Sequence, residues 1–380
     1  MKDHVSAWRG SVGEADAPPG RGTGSVQAGR AAAGASALVR GEPPAFAALD
    51  LGTNNCRLLV AQARPGAGLH VIDAFSRIVR LGEGLAFTGR LGAPAIERTL
   101  AALKICAGKL RRHAPCTTRV VATEACRRAS NGDEFLGRVA RETGLDIEVI
   151  GPGEEALLAV AGCSALLDPT RRQAIMFDIG GGSTELMWLE LSPAGGDGAP
   201  PPVLLRAWTS VPAGVVSLSE QFGAASVSAD GYRAMRAAVA AMLARFDADH
   251  FIGRAVAAGG VQMLGSSGTV TTLAGIHLGL PRYDRSRVDG TTVKYTDMRA
   301  VSKRIVEMDV AGRLAHPCIG KSRADLVVAG CAILDAILDA WPVDQVRIAD
   351  RGVREGILLG LMGVPKPIHA SDAGGASASA

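Results

Sequence analysis

Two short stretches of this 380-residue chain combine the residue types that grip a phosphate. Asp178-Ile-Gly-Gly-Gly-Ser183 carries Gly180, Gly181 and Gly182 in a row, so backbone N–H groups can approach phosphate oxygens with no Cβ in the way, and Ser183 adds a hydroxyl. Asp178 stands at the end of an apolar run, from where a carboxylate can hold Mg2+ or another divalent cation against bound phosphate. Asp50-Leu-Gly-Thr-Asn-Asn55 has the same shape with a single glycine, Gly52, and with Thr53, Asn54 and Asn55 as polar groups; Arg57 follows as a candidate for the anion. Asp50 is the second candidate metal ligand. A third segment, Gly265-Ser-Ser-Gly-Thr269, puts Ser267, Gly268 and Thr269 at the start of a helix, where they either receive an anion on free N–H groups or cap the helix. Glu154-Glu155 opens another helix, where acids are ordinarily favoured by the dipole. In a cleft filled with phosphate, such a carboxylate is raised toward neutrality and can act as general base for water. Arg127 and Arg128 are placed to neutralise oxygens of a transferring phosphoryl group.

The elements around these residues alternate between strand and helix, the pattern of an α/β protein. Apolar runs at 46–51 and 57–61 read as a hairpin with Asp50 at the tip, and those at 174–178 and 184–189 as a second hairpin with Asp178 in the same place. Further strands are expected at 119–122, 147–150 and 345–349, and helices at 94–113, 133–143, 154–167, 229–247, 269–277, 297–308, 322–340 and 353–362. Segment 192–202 reads as a hairpin loop. Repetition of strand, Asp, glycine turn and strand implies a duplicated domain, with Asp50 and Asp178 on opposite walls of one cleft. The expected organisation is a disordered tail over 1–44, a first domain over 45–168, a second over 169–364 whose last helix packs back on the first, and a disordered tail over 365–380.

Composition narrows the class. With 47% hydrophobic and 21% charged residues the chain can build two cores, and it has no apolar run long enough for a membrane span and no secretory leader pattern, which predicts a cytoplasmic protein. Seven cysteines without a CxxC pair read as buried thiols, and seven scattered histidines offer no zinc spacing. Net charge is only +4, but 77–141 holds thirteen Lys and Arg against five acids, a surplus that suits an anionic ligand if the charges share a face. The block lacks the interleaved aromatics on which bases stack, so no specific nucleic acid is expected. A homodimer is compatible with the sequence, although no residue specifies it.

Taken in order, the motifs Asp50-Leu-Gly-Thr-Asn-Asn55, Ala122-Thr-Glu-Ala-Cys-Arg127, Gly153-Glu-Glu-Ala156, Asp178-Ile-Gly-Gly-Gly-Ser-Thr-Glu185, Ser267-Gly-Thr-Val-Thr-Thr272 and Arg323-Ala-Asp-Leu-Val-Val-Ala-Gly330 resemble the exopolyphosphatase and guanosine pentaphosphate phosphohydrolase (Ppx/GppA) family of the actin, Hsp70 and sugar-kinase superfamily. The resemblance implies two ribonuclease H-like domains with an interdomain cleft and Mg2+-dependent hydrolysis of a terminal phosphoanhydride. It assigns Glu155 as the water-activating glutamate, Asp178 to metal and catalysis, Gly180 to Ser183 as the phosphate loop, and Arg127 as an arginine facing the cleft. The short, two-domain form is implied. One departure stands out: where the family commonly has Arg two residues after the catalytic glutamate, this chain has Leu157, so another basic residue between Arg77 and Arg141 would have to substitute. Inorganic polyphosphate is the expected substrate. Guanosine pentaphosphate, the stringent-response nucleotide, is the alternative, since the reacting group is the same; an actin-type ATPase or sugar kinase, or a polyphosphate- or nucleotide-binding regulator with weakened catalysis, are the other readings.

Overall fold

The computed structural model describes residues 43–64, 68–192, 202–223, 227–364 and 367–369. Two mixed sheets carry the architecture. The first has the order β3-β2-β1-β4-β5, from β1 (Ala45–Leu51), β2 (Asn55–Arg64), β3 (Gly68–Ile78), β4 (Cys116–Ala122) and β5 (Glu148–Val149). Strands β1, β2 and β3 form an antiparallel meander, while β1, β4 and β5 run parallel through crossovers. Its helices are α1 (Leu85–Thr88), α2 (Ala93–Arg112), α3 (Glu124–Arg128), α4 (Gly132–Thr143) and α5 (Pro152–Cys163).

The second sheet repeats this connectivity. Its strands are β6 (Gln173–Ile179), β7 (Thr184–Leu191), β8 (Val203–Val211), β9 (Val261–Ser266), β10 (Thr292–Lys294), β11 (Gln345–Ala349) and β12 (Ile368–His369), in the order β10-β11-β9-β6-β7-β8-β12. Within it, β8-β7-β6-β9-β11 matches β3-β2-β1-β4-β5 position for position, including the antiparallel and parallel pairings. This is the α/β, ribonuclease H-like (actin-like) plan expected from the sequence. The helices here are α6 (Val215–Phe222), α7 (Ala229–His250), α8 (Ile252–Ala257), α9 (Gly268–His277), α10 (Arg285–Val288), α11 (Tyr295–Glu307), α12 (Val310–Ala315), α13 (Val327–Ala340) and α14 (Val353–Leu361).

Three apolar clusters fill the interior. One lies under the second sheet, one under the first, and a middle one draws buried residues from both sheets together with α5 and α14. Residues 156–163 of α5 are nearly all apolar because this helix lies between layers rather than on the surface. Helix α14 packs on α5 and on β1. At their crossing the backbones touch: a Cβ on Gly162 would fall 2.0 Å from the Gly352 carbonyl oxygen, and one on Gly356 2.0 Å from that of Leu158. No helix among the described residues is long and apolar enough to cross a membrane.

Several elements differ from the sequence reading. Strands β3, β8, β9 and β10 were not expected, and helix α13 starts at Val327 because residues 321–326 turn instead. Helix α5 stops at Cys163 and continues only as a 3-10 turn over Ser164–Leu166. The expected C-terminal tail contains a strand, since Ile368 and His369 pair with Leu204 and Leu205 on the open edge of β8, whose backbone groups would otherwise lack partners. Most of that tail, nearly all of the N-terminal one and 193–201 of the hairpin loop lie outside the described residues. Of the seven free cysteines, six are buried as expected and Cys116 is half-buried.

Candidate active site

The two hairpin tips meet at the mouth between the sheets. In the first, Asp50 pairs with Arg57 and Gly52 N–H donates to the Asn55 carbonyl at 2.9 Å. In the second, Asp178 pairs with Glu185 and Gly180 N–H donates to the Ser183 carbonyl, also at 2.9 Å. The tip carbonyls are tied down on both sides. Gly180 and Gly181 accept from Val215 and Val216 N–H at 3.0 and 2.8 Å as α6 begins, while Thr53 accepts from Gly82 N–H and Asn54 from Val79 and Arg80 N–H. In a trans peptide the N–H points opposite its carbonyl, so the amides of Gly181, Gly182, Asn54 and Asn55 are directed away from these anchors. Anion-binding concavities are made from such donors.

The cleft between the tips encloses about 970 Å³ of empty space, part of it open solvent, and Asp50, Gly52, Thr53, Asn54, Arg57, Glu155, Asp178, Gly180, Gly181, Gly182, Ser183, Ser267, Gly268 and Thr269 all line it. The structure therefore gathers every residue singled out for phosphate or metal except Arg127 and Arg128; of the acid pair that opens α5 only Glu155 lines the cleft, while Glu154 pairs with Arg119 at 2.6 Å. Arg127 stands behind the lining. Its guanidinium donates to Glu155 at 3.1 Å, to Glu124 at 2.9 Å and to the Ile150 carbonyl at 2.6 Å, so it holds carboxylates rather than facing the cleft. Arg128 pairs with Glu124 at 3.6 Å. Two other expectations shift in detail. Ser183 donates its hydroxyl to Glu185 at 2.6 Å, inward, and Ser267 caps α9 by accepting from Thr269 and Val270 N–H, with its own backbone at φ +142°.

Sequence reasoning missed Glu124, Glu185, Thr272 and Arg323 as lining residues, although all four sit inside motifs it quoted. With them the lining holds five carboxylates (Asp50, Glu124, Glu155, Asp178, Glu185) against two guanidiniums (Arg57, Arg323). Burial raises the pKa of most of these acids. Asp178 is pushed up to about 6, mainly by desolvation, with Asp50 adding to it and Arg57 opposing. Glu185 is pushed up to about 7 by desolvation against the pull of its Ser183 hydrogen bond. Glu155 is raised well above the usual carboxylate range by desolvation and the charge of Glu185, with Arg127 opposing, and Asp50 is raised by burial against Arg57 and Arg354. A carboxylate poised this way is suited to accepting a proton near neutrality.

The comparisons with known proteins bear on this constellation. Residues 59–364 match the model of the Ppx/GppA phosphatase family. The chain belongs to the Ppx/GppA phosphatase family. It is 29% identical to exopolyphosphatase 2 of Mycobacterium tuberculosis, over 83% of this chain and 98% of that one. A guanosine-5'-triphosphate,3'-diphosphate pyrophosphatase of Aeromonas salmonicida is 30% identical, with 84% of this chain covered and 60% of the longer relative. Among solved structures, a PPX-GPPA enzyme of Aquifex aeolicus superposes with a TM-score of 0.66 at 30% identity, covering 83% of this chain and 99% of that one. At the position of the Ppx/GppA arginine, Leu157 is half-buried and packs against the middle apolar cluster. The guanidinium on Glu155 comes from Arg127 instead.

The basic block also reads differently once folded. Eight of its thirteen cations (Arg80, Arg98, Lys104, Lys109, Arg119, Arg127, Arg128, Arg138) form ion pairs with acids, so much of its surplus is spent in internal pairing.

Proposed function

We propose that this chain hydrolyses the terminal phosphoanhydride of inorganic polyphosphate and releases orthophosphate. What carries the reading is the buried Glu155, clamped by Arg127 at the wall of a cleft whose other walls are two hairpin tips with their carbonyls tied back. The amides of Gly181, Gly182, Asn54 and Asn55 would hold the terminal phosphoryl oxygens, and Arg57 and Arg323 would meet their charge. Glu155 takes a proton from the attacking water, and Arg127 fixes the orientation of its carboxylate. Catalysis on this account is positioning and charge neutralisation, as phosphoryl transfer requires.

Five lining carboxylates against two guanidiniums would repel a polyphosphate without added positive charge. Asp178 and Asp50 are the residues that would hold Mg2+ or another divalent cation, their burial giving both a reason to gain a counter-charge. No cluster of three or more His, Cys, Asp or Glu converges among the described residues, so a cation here would draw on one or two carboxylates and complete its shell with phosphate and water, as Mg2+ does. When bound it would supply neutralisation of the phosphoryl oxygens.

Polyphosphate is favoured over guanosine pentaphosphate by the near-complete coverage of the mycobacterial exopolyphosphatase, against 60% of the pyrophosphatase. The test is orthophosphate release with Mg2+ from long-chain polyphosphate, guanosine pentaphosphate and ATP side by side, with Glu155→Gln as control. Polyphosphate is expected to be preferred, with kcat falling roughly 10²–10⁴-fold in the variant. Near-wild-type turnover in Glu155→Gln would remove the base assignment, and preference for guanosine pentaphosphate would change the substrate. Tight binding without release from any of the three would mark a regulator.

A further inference from the structure

One contact across the cleft mouth has no part in the chemistry above. Arg80 follows β3 and sits on the tip of the first hairpin, its backbone N–H donating to the Asn54 carbonyl at 3.1 Å. Its side chain reaches to the other half, making a two-pronged ion pair with Asp325 at 2.7 and 2.8 Å and a bond to the Ser322 carbonyl at 3.3 Å. Asp325 lies in the turn that carries Arg323, Leu326 and Val327 into the cleft lining. That turn is also fixed from its own side: Arg323 donates to the Thr272 hydroxyl at 2.9 Å, and Ser219 donates to the Asp325 carbonyl at 3.3 Å.

Two features set this pair apart from ordinary surface charge. Arg80 keeps a left-handed backbone, φ +49°, where glycine would carry no steric penalty, so the side chain is held at a site that disfavours one. A second tie runs beside it, since Glu220 on α6 accepts from Gly84 N–H at 2.7 Å while its other carboxylate oxygen is buried without a partner. At about 30% exposure on each side chain, the ion pair itself adds little to folding stability. Its consequence is geometric. The first hairpin tip of one half and the Arg323 turn of the other are joined through the Arg80 guanidinium, by a bidentate pair of fixed shape with Asp325 and the bond to the Ser322 carbonyl.

We infer that Arg80 is a positioning residue, which through Asp325 holds Arg323 at the distance from the first hairpin tip that a bound phosphate chain needs. The inference rests on the phosphohydrolase reading for its kinetic arm only. Arg80→Ala, Asp325→Ala and the double variant are compared for polyphosphate hydrolysis and for amide exchange. Each single variant is expected to raise KM by about tenfold with kcat within roughly threefold, and the double variant to be no worse than either, as for two groups acting as one unit. Exchange over 320–327 is expected to quicken equally in all three, with β6 and β9 unchanged; that pattern reports release of the turn rather than loss of the fold. Additive KM effects, or exchange over 320–327 as slow as in the parent protein, would overturn the inference. If the parent protein releases phosphate from no substrate, the functional reading fails while the exchange measurement still decides this one.

Discussion

The two hairpins share a backbone and differ in charge. Asp50 and Arg57 occupy the register positions that Asp178 and Glu185 occupy in the other hairpin, and each tip is closed by the same backbone bond. The cross-strand partner differs in sign. Arg57 offers a cation beside Asp50, whereas Glu185 places a second buried acid beside Asp178. Glycine content differs for a related reason. The second tip is pressed against the first, and a Cβ on Gly181 would lie 3.0 Å from the Cβ atoms of both Thr53 and Asn54, while one on Gly52 would meet only the Asn55 carbonyl oxygen, at 3.7 Å. The duplicated frame thus sets a cation beside one aspartate and a second acid beside the other, at the point where the tips approach most closely.

The sharpest way to break this division is to neutralise each aspartate in turn. Asp178→Asn is expected to lower kcat by roughly 10³-fold or more, as loss of a group central to transition-state charge does, and Asp50→Asn by clearly less, measured as orthophosphate release at saturating polyphosphate. Equal losses would make the copies equivalent. Next in size is Gly181→Ala, which must push the tips apart and is expected to reduce kcat/KM by about 10–100-fold, against a few-fold for Gly52→Ala. The partners of the aspartates should separate the kinetic constants: Arg57→Gln raises KM about tenfold, and Glu185→Gln acts on kcat and moves the acid limb of the pH profile. Asp178 at about 6 and Glu185 at about 7 place that limb near pH 6–7, with activity rising as the acids ionise.

A separate effect is on stability and has the opposite sign. Burial raises the folded-state pKa of Asp178 from 3.8 to about 6, so its favourable contribution is present below pH 3.8 and is lost as pH rises through 6. Without divalent cations, Asp178→Asn should therefore be more stable than the parent at pH 8, by on the order of 2–3 kcal/mol, with little difference at pH 4. Asp50→Asn should gain less, because it leaves Arg57 without its cross-strand acid. Denaturant unfolding at the two pH values reads both.

What the sequence made legible was local. An acid, a glycine turn and two apolar runs are contiguous, so both hairpins and the lining residues at their tips could be read directly. Long-range pairing could not. The guanidinium on Glu155 comes from Arg127, on a helix three elements earlier, and Asp325 lies 245 residues from Arg80, so the block from 77 to 141 looked like free positive charge. Strand β3 was missed because its residues are mostly exposed or half-buried, which blurs the period of two, and β9 because Gly259-Gly260 before it and Gly265 within it resemble turns. Helix α13 was drawn too long because 322–326, Ser-Arg-Ala-Asp-Leu, holds no glycine or proline to mark where the turn ends and the helix begins.

The bare crossing of α5 and α14 gives the molecule a fulcrum. With glycine at both points of contact the backbones meet directly, so any small swivel of one helix on the other would pivot there. Glu155 lies seven residues from Gly162, a lever of about 10 Å at 1.5 Å per residue, so each degree of swivel carries its carboxylate roughly 0.2 Å. A turn of about five degrees would displace the base by the ångström that separates a productive geometry from an idle one.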